Sequence, residues 1–245
     1  MIPKKIHYCW FGGKPLNKLG KKCLASWKKF FPDYEIIEWN ESNFDFGCCR
    51  YVEEAAKEKK WAFVSDYARY KILYEQGGIY FDTDVEVIKS FDDILEKGAF
   101  MGRENPDEIM AVAPGLGMAV EPGLEIYKEV LDDYEKSSFY NADGTLNLYT
   151  VVYRMTDILR KHGLQDTTNI QKVAGITIYP SEYFCPIDMK TGRVETTSNT
   201  YSIHRYAGSW VDKKSLFRGK VYHLINRLFG EKFATEMRKI FGRKK

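Results

Sequence analysis

Gly77-Gly78-Ile79-Tyr80-Phe81-Asp82-Thr83-Asp84-Val85 sets two carboxylates at the end of a short apolar strand that begins just after a glycine pair. Side chains alternate across a strand with period 2, so on an extended backbone Asp82 and Asp84 project to one side and can hold one divalent cation between them. Such a site suits chemistry on a phosphate-bearing substrate. Asp-x-Asp alone recurs by chance on the order of once in a chain this long. Its neighbourhood therefore has to carry the weight.

Upstream, Ile6 to Trp10 reads as an opening strand, followed by the loop Phe11 to Pro15 and a helix from Leu16 to Phe30 that Pro32 ends. Tyr34 to Trp39 is a second strand, and Asn40 to Asn43 a polar turn. Helical spacing covers about Tyr51 to Lys59 and Ala62 to Glu75, the latter closed by Gly77 and Gly78, because glycine tolerates the positive φ of a helix end. Strand, helix, strand, helix, strand predicts an α/β sheet with parallel members, whose active residues gather where strands end. Beyond Val87 the pattern loosens. Strands are expected near Ala99 to Gly102, Met110 to Ala113, Ile176 to Pro180 and Ser202 to His204, and helices over Leu124 to Lys136 and Leu148 to His162.

At 245 residues, 44% hydrophobic and 15% aromatic, the chain can bury a substantial core, read as one domain over residues 1–212 with an appendage over 213–245. The five cysteines are odd in number and form no C-x-x-C pair, which argues against a disulfide framework and a structural zinc site. No apolar run reaches the ~7–15 residues of a signal peptide or the ~18 of a membrane span. A cytoplasmic protein is expected.

Net charge +3 conceals an asymmetry: residues 213–245 hold 11 Lys and Arg against Glu231 and Glu236, a tail of +9 on a body of −6. Along it Val221, Leu224, Ile225, Leu228 and Phe229, then Phe233, Met237, Ile240 and Phe241, recur at helical spacing between basic residues. Two readings fit: an amphipathic helix lying on an anionic membrane surface, which would make the protein peripheral at the inner face of the plasma membrane, or a helix docked on the body with a solvated basic face. No nucleic-acid-binding motif accompanies the charge.

On the helix before the carboxylates, Asp66 and Arg69 lie three residues apart and share a face. Spacing alone reads as a surface ion pair; the functional alternative sets Arg69 against a phosphate or sugar hydroxyls and lets Asp66 accept hydroxyl hydrogen bonds. His204-Arg205-Tyr206-Ala207-Gly208-Ser209-Trp210 supplies an imidazole, a hydroxyl and an indole within seven residues. A lone histidine is more often structural than a ligand. Two carboxylates, however, leave a divalent ion under-coordinated, and a distant ligand would complete its shell.

Ile6-His7-Tyr8-Cys9-Trp10-Phe11-Gly12-Gly13, Ser65-Asp66-x-x-Arg69 to Leu73, Gly77-Gly78-x-Tyr80-x-Asp82-x-Asp84 and His204 to Trp210 occur in the order seen in glycosyltransferase family 32. The chain resembles that family of DXD sugar-binding transferases, which includes bacterial capsular and exopolysaccharide enzymes, and more distantly the glucosylating domains of large clostridial toxins. The likeness is dense over residues 4–95 and resumes at 202–210. It implies a GT-A fold, a Rossmann-like mixed sheet flanked by helices, and retaining transfer of a hexose from a nucleotide-sugar donor. A uridine diphosphate sugar is the first expectation and guanosine diphosphate mannose the second.

By the same resemblance Trp10 matches the aromatic that stacks on the nucleobase, with core filling as its plain alternative. Asp66 and Arg69 match the pair that holds donor sugar and ribose, and Tyr80 falls within the donor-binding motif. Asp84 matches the direct metal ligand and Asp82 the carboxylate that reaches ribose or metal through water. Ser209 and Trp210 look like a loop closing over the diphosphate, and His204 sits where related enzymes place a metal ligand. Mn²⁺ or Mg²⁺ is the implied cofactor, with a histidine ligand tilting the preference to Mn²⁺. The implied acceptor is a saccharide or lipid-linked saccharide, met by the variable middle of the chain, where Glu104, Asn105 and Asp107 are polar candidates.

Two rivals remain at this level. One is a haloacid-dehalogenase-type phosphohydrolase with Asp82 as nucleophile and Asp84 as acid/base, although its motif belongs on a first strand and no downstream acidic motif accompanies it here. The other is a binding module for nucleotide or glycan without turnover.

Overall fold

The structure, a computed structural model, describes residues 1–104, 111–208 and 213–231, together with 233, 235 and 236. In chain order the first half comprises β1 (Lys5–Cys9), α1 (Lys18–Phe30), β2 (Glu35–Trp39), α2 (Arg50–Lys57), α3 (Trp61–Gln76), β3 (Gly78–Tyr80), β4 (Val85–Val87) and α4 (Asp92–Leu95). The second half comprises β5 (Phe100–Glu104), β6 (Ala111–Val112), a 3₁₀ turn at Pro114–Leu116, β7 (Met118–Val120), α5 (Glu125–Glu135), α6 (Val151–Lys161), β8 (Gln171–Val173), β9 (Ile176–Tyr179), α7 (Ser181–Phe184), β10 (Ser202–His204) and α8 (Lys213–Phe229).

The main sheet runs β2-β1-β3-β7-β5-β9-β8, with β6 paired to β5, while β10 and β4 form a separate two-stranded sheet. Pairings of β1 with β2 and β3, and of β5 with β9, are parallel; β7 runs antiparallel to both its neighbours. This is the mixed, helix-flanked sheet expected of the GT-A class. Alternation along β1 shows the layers: Ile6 and Tyr8 enter the core shared with Trp27 of α1, whereas Cys9 enters the core built on α3.

Local chemistry sets several boundaries. Asn17 caps α1 by accepting from the Gly20 N–H at 2.8 Å, so this helix starts at Lys18, later than Leu16. At the other end of the α3 helix Gly77, at φ +63°, donates its N–H to the Leu73 carbonyl at 2.9 Å. A Cβ on Gly78 would sit 2.8 Å from the Lys5 carbonyl. The glycine pair is therefore what lets β3 enter beside β1.

One expectation is corrected: Asp82 and Asp84 do not share a continuous strand. Strand β3 stops at Tyr80, and the Val85 N–H closes a turn onto the Asp82 carbonyl at 3.0 Å. The chain leaves the main sheet there because α1 captures it. Trp27, fully buried, donates its indole N–H to the Val85 carbonyl at 2.8 Å, and Ser26 Oγ accepts from the Val87 N–H at 3.0 Å. Side chains of α1 thus satisfy the edge of β4 that β10 leaves open.

His7 is a further brace. Completely buried, it accepts from the Trp39 indole at Nδ1, 3.2 Å away, and its Nε2 donates to the Gly77 carbonyl at 3.1 Å, joining β1, β2 and the end of α3. Burial pushes its pKa down to about 4. The unfolded chain then binds the proton and the folded one does not, so stability falls as pH drops from 6.5 towards 4. That loss is expected to reach about 3 kcal/mol. It should disappear from the pH series of denaturant midpoints in His7→Gln.

Candidate active site

Helix α3 is buried around most of its circumference, with nine buried residues including Asp66 and Arg69. The surface ion pair that spacing suggests is therefore an interior one. Arg69 stacks its guanidinium over the Tyr80 ring at 4.9 Å, bonds Asp66 Oδ1 at 2.9 Å and the Ser65 carbonyl at 3.1 Å, and reaches Asp82 Oδ1 at 3.3 Å. Tyr80 donates its hydroxyl to the same Asp82 oxygen at 3.2 Å. Burial holds the Asp66 carboxyl up at about 6 despite the neighbouring guanidinium. Burial also works against the charge of Arg69, but Asp82, Tyr80 and Asp66 outweigh it and hold the guanidinium protonated.

The other half of the site arrives through the small sheet. Its antiparallel register sets His204 opposite Val85, which brings the imidazole Nε2 within 3.1 Å of Asp84 Oδ1. Beyond β10 the chain stays fastened to the turn: the Arg205 N–H donates to the Asp84 carbonyl at 2.9 Å and the Ala207 N–H to Asp84 Oδ2 at 2.7 Å. The Arg205 guanidinium makes two bonds to Glu86, whose other oxygen takes Lys22 at 2.7 Å.

Burial disfavours the charges of Asp84 and His204, yet each favours the other's, so the carboxyl is held below and the imidazole above its ordinary range. His204 Nδ1 is buried without a hydrogen-bond partner among the described residues. Asp82, Asp84 and His204 each offer a ligand atom, all within 4.8 Å of one another. Two carboxylates and an imidazole in that space are a donor set suited to one small divalent cation.

The remaining sequence candidates are distributed around this cluster. Trp10 is half-buried at the end of β1, its indole N–H donating to the Lys14 carbonyl at 2.6 Å, which fixes the ring plane. Glu104, at the end of β5, turns inward to accept from the Tyr206 hydroxyl at 2.9 Å. Ser209, Trp210, Asn105 and Asp107 lie outside the described residues.

Sequence reasoning missed Tyr206, Cys185 and Gly115. Tyr206 has a left-handed backbone, φ +46°, places its ring edge-on against His204 at 4.3 Å, and joins Cys185 Sγ at 3.0 Å to Glu104 through its hydroxyl. Gly115, in the 3₁₀ turn, accepts the Asp82 N–H at 3.3 Å. Nothing local in Pro114-Gly115-Leu116 marks it; only the approach of β7 to β3 reveals the role.

Against known proteins, residues 18–101 match the family described as the glycosyltransferase sugar-binding region containing a DXD motif. An uncharacterized glycosyltransferase of Acanthamoeba polyphaga mimivirus is 34% identical over 86% of this chain and 84% of its own length. Inositol phosphoceramide mannosyltransferase 3 of Schizosaccharomyces pombe is 32% identical over 44% of this chain, and the matched part spans 31% of that protein's length. Among solved structures, the PaToxG glycosyltransferase superposes with a TM-score of 0.50 at 22% identity, over 65% of this chain and 69% of that one. At that identity the likeness concerns the fold.

A Cβ on Gly115 would stand 2.1 Å from Asp82 Oδ2. Gly115→Ala is thus expected to displace this carboxylate while leaving the core packed. Affinity for added Mn²⁺, read from the metal-induced rise in melting temperature, should fall roughly 10–100-fold relative to the wild type.

Proposed function

The chain belongs to the glycosyltransferases whose sugar-binding region contains a DXD motif, and from that premise we propose that it moves a hexose from a nucleoside diphosphate sugar to a saccharide or lipid-linked saccharide, with retention, in surface polysaccharide biosynthesis. The observation that carries the metal-dependent reading is the meeting of Asp82, Asp84 and His204 within 4.8 Å beside the buried Arg69. A divalent cation bound there would supply Lewis-acid neutralisation of the diphosphate that leaves. Mn²⁺ suits the mixed oxygen and imidazole donors, with Mg²⁺ as the alternative.

The protein's own groups then have distinct tasks. Asp84, clamped by the Ala207 N–H and His204, is proposed as the direct ligand, and Asp82, oriented by Tyr80 and Arg69, as the carboxylate that reaches ribose or the ion. Arg69 sets a permanent positive charge beside the donor, and Asp66 accepts from sugar hydroxyls. Trp10 offers an indole face held still by its bond to Lys14, suited to stacking on a nucleobase. Ser209 and Trp210 are proposed to close over the diphosphate. Attack on the same face as departure, with the leaving phosphate as base, gives retention without a protein nucleophile.

Uridine diphosphate sugars remain the first donors to test, and the name of the yeast relative brings guanosine diphosphate mannose beside them. Release of nucleoside diphosphate from both donor series with Mn²⁺ should single out one donor. Asp84→Asn should lower that rate by roughly 10²–10³-fold, and a chelator should abolish it until Mn²⁺ is restored. Turnover indifferent to both changes would sink the metal-dependent reading.

For the tail we propose an anionic membrane surface, consistent with the lipid in the name of the yeast relative. Helix α8 docks through its polar side, with Asn226 Nδ2 on the Lys190 carbonyl at 3.0 Å and Arg227 Nε on the Thr191 carbonyl at 2.5 Å. Phe217, Val221, Leu224 and Leu228, at i, i+4, i+7 and i+11, form an exposed stripe on the opposite side, with Arg218, Lys220 and Arg227 among the helix's cations. No helix among the described residues is long and apolar enough to cross a membrane. Leu224→Asp with Leu228→Asp in the full chain should abolish flotation with phosphatidylserine vesicles; undiminished flotation would show that the stripe is not the contact.

A further inference from the structure

Tyr149 and Tyr153 form an exposed aromatic pair that neither the core nor the donor site uses. Their rings lie 6.1 Å apart at 20° to one another, and the residues are 39% and 61% exposed, with Leu148 beside them at 59%. The arrangement is built rather than incidental. Tyr149 donates its hydroxyl to Asp157, and the buried Arg154 lies 5.5 Å from the Tyr149 ring while its own ring partner, Tyr134, is 4.0 Å away in the core. Asp157 is in turn paired with Arg160 at 3.3 Å. Two neighbouring ring faces therefore sit at the surface, that of Tyr149 held by its bond to Asp157, with a carboxylate and a guanidinium beside it.

Their position ties them to the reaction centre. They flank Val151, the first residue of α6. Helix α6 packs against α3, which carries Asp66 and Arg69, and against the 3₁₀ turn at Pro114–Leu116. That turn abuts the carboxylate cluster, since a Cβ on Gly115 would stand 2.1 Å from Asp82 Oδ2. The aromatic pair thus sits at the start of a helix that rests on the elements holding Asp66, Arg69 and Asp82.

We infer that Tyr149 and Tyr153 form a subsite for the acceptor saccharide, an inference that rests on the transferase reading above. A pyranose carries an apolar face of axial C–H bonds with hydroxyls around its rim. The C–H face matches the negative π-face of a tyrosine, and Asp157 and Arg160 offer an acceptor and donors for hydroxyls at the edge. Aromatic faces also hold sugars without demanding one hydroxyl pattern, so the subsite grips an extended saccharide whose reacting end lies over the donor.

The test is saturation-transfer NMR on the full chain with methyl α-mannopyranoside, methyl β-galactopyranoside and methyl β-glucopyranoside as probes. At least one probe should receive transfer concentrated on its axial C–H face, with affinity falling roughly tenfold in Tyr153→Ala and recovering in Tyr153→Phe. Equal transfer in the wild type and Tyr153→Ala, or none from any probe, overturns the proposal. So does a dimer in sedimentation that Tyr153→Ala converts to monomer, since the pair would then be an interface between copies. Nucleoside diphosphate release by the wild type, measured separately, tells failure of the transferase reading apart from failure of this subsite.

Discussion

The pairing of β10 with β4 is the constraint on which the site depends. Three residues of each strand fix a register in which His204 faces Val85, and the segments that carry Asp84 and His204, 120 positions apart in sequence (204 − 84), are brought side by side. A slip by one residue would turn His204 to the other face of the ribbon. The register is guarded from outside the ribbon. On one edge Trp27 and Ser26 bind Val85 and Val87, and beyond the end Arg205 grips Glu86. Strands this short are marginal by themselves, so the Asp82, Asp84 and His204 cluster is only as ordered as the helix and ion pairs that flank them.

The second demand is electrostatic. Asp66, Arg69, Asp82, Asp84 and His204 concentrate charge in a place that is largely withdrawn from water, which costs free energy unless each group is paired and hydrogen-bonded. The protein meets the demand with neutral parts. Tyr80, the Ser65 carbonyl and the backbone N–H of Ala207 bind the charged atoms. The same arrangement leaves oxygen and nitrogen atoms converging on one point, suited to a cation that would lower the remaining repulsion between Asp82 and Asp84. Binding of such a cation would couple to folding through that repulsion.

Around this centre the chain divides its surface by chemistry. Trp10 and Lys14 lie at the end of β1, the Tyr149 and Tyr153 pair at the start of α6, and the cationic, outwardly apolar α8 follows soon after the segment that carries His204. Nucleobase, acceptor sugar and lipid surface are proposed for these three in turn. Each makes a different demand: a flat half-buried ring, an exposed pair of rings, and a stripe of aliphatic side chains among cations.

The order of strands and helices over residues 4–87, the glycine pair and the identity of Asp82, Asp84, Arg69 and His204 as candidates were legible in the sequence, because hydrophobic period and motif spacing are properties of neighbouring residues. Even there, alternation misplaced the two carboxylates on one strand, since the turn after Phe81 is imposed by α1 and Gly115 rather than by Asp82-Thr83-Asp84 itself. Spacing likewise read Asp66 and Arg69 as a surface pair, because nothing within one helix tells how many neighbours will cover it. Tyr206, Cys185, Gly115 and the aromatic pair acquire meaning only from contacts across the fold. What the sequence by itself determined was which groups could do the chemistry; that Asp82, Asp84 and His204 meet within 4.8 Å of one another was decided by tertiary structure, because register and burial are set between segments and not along them.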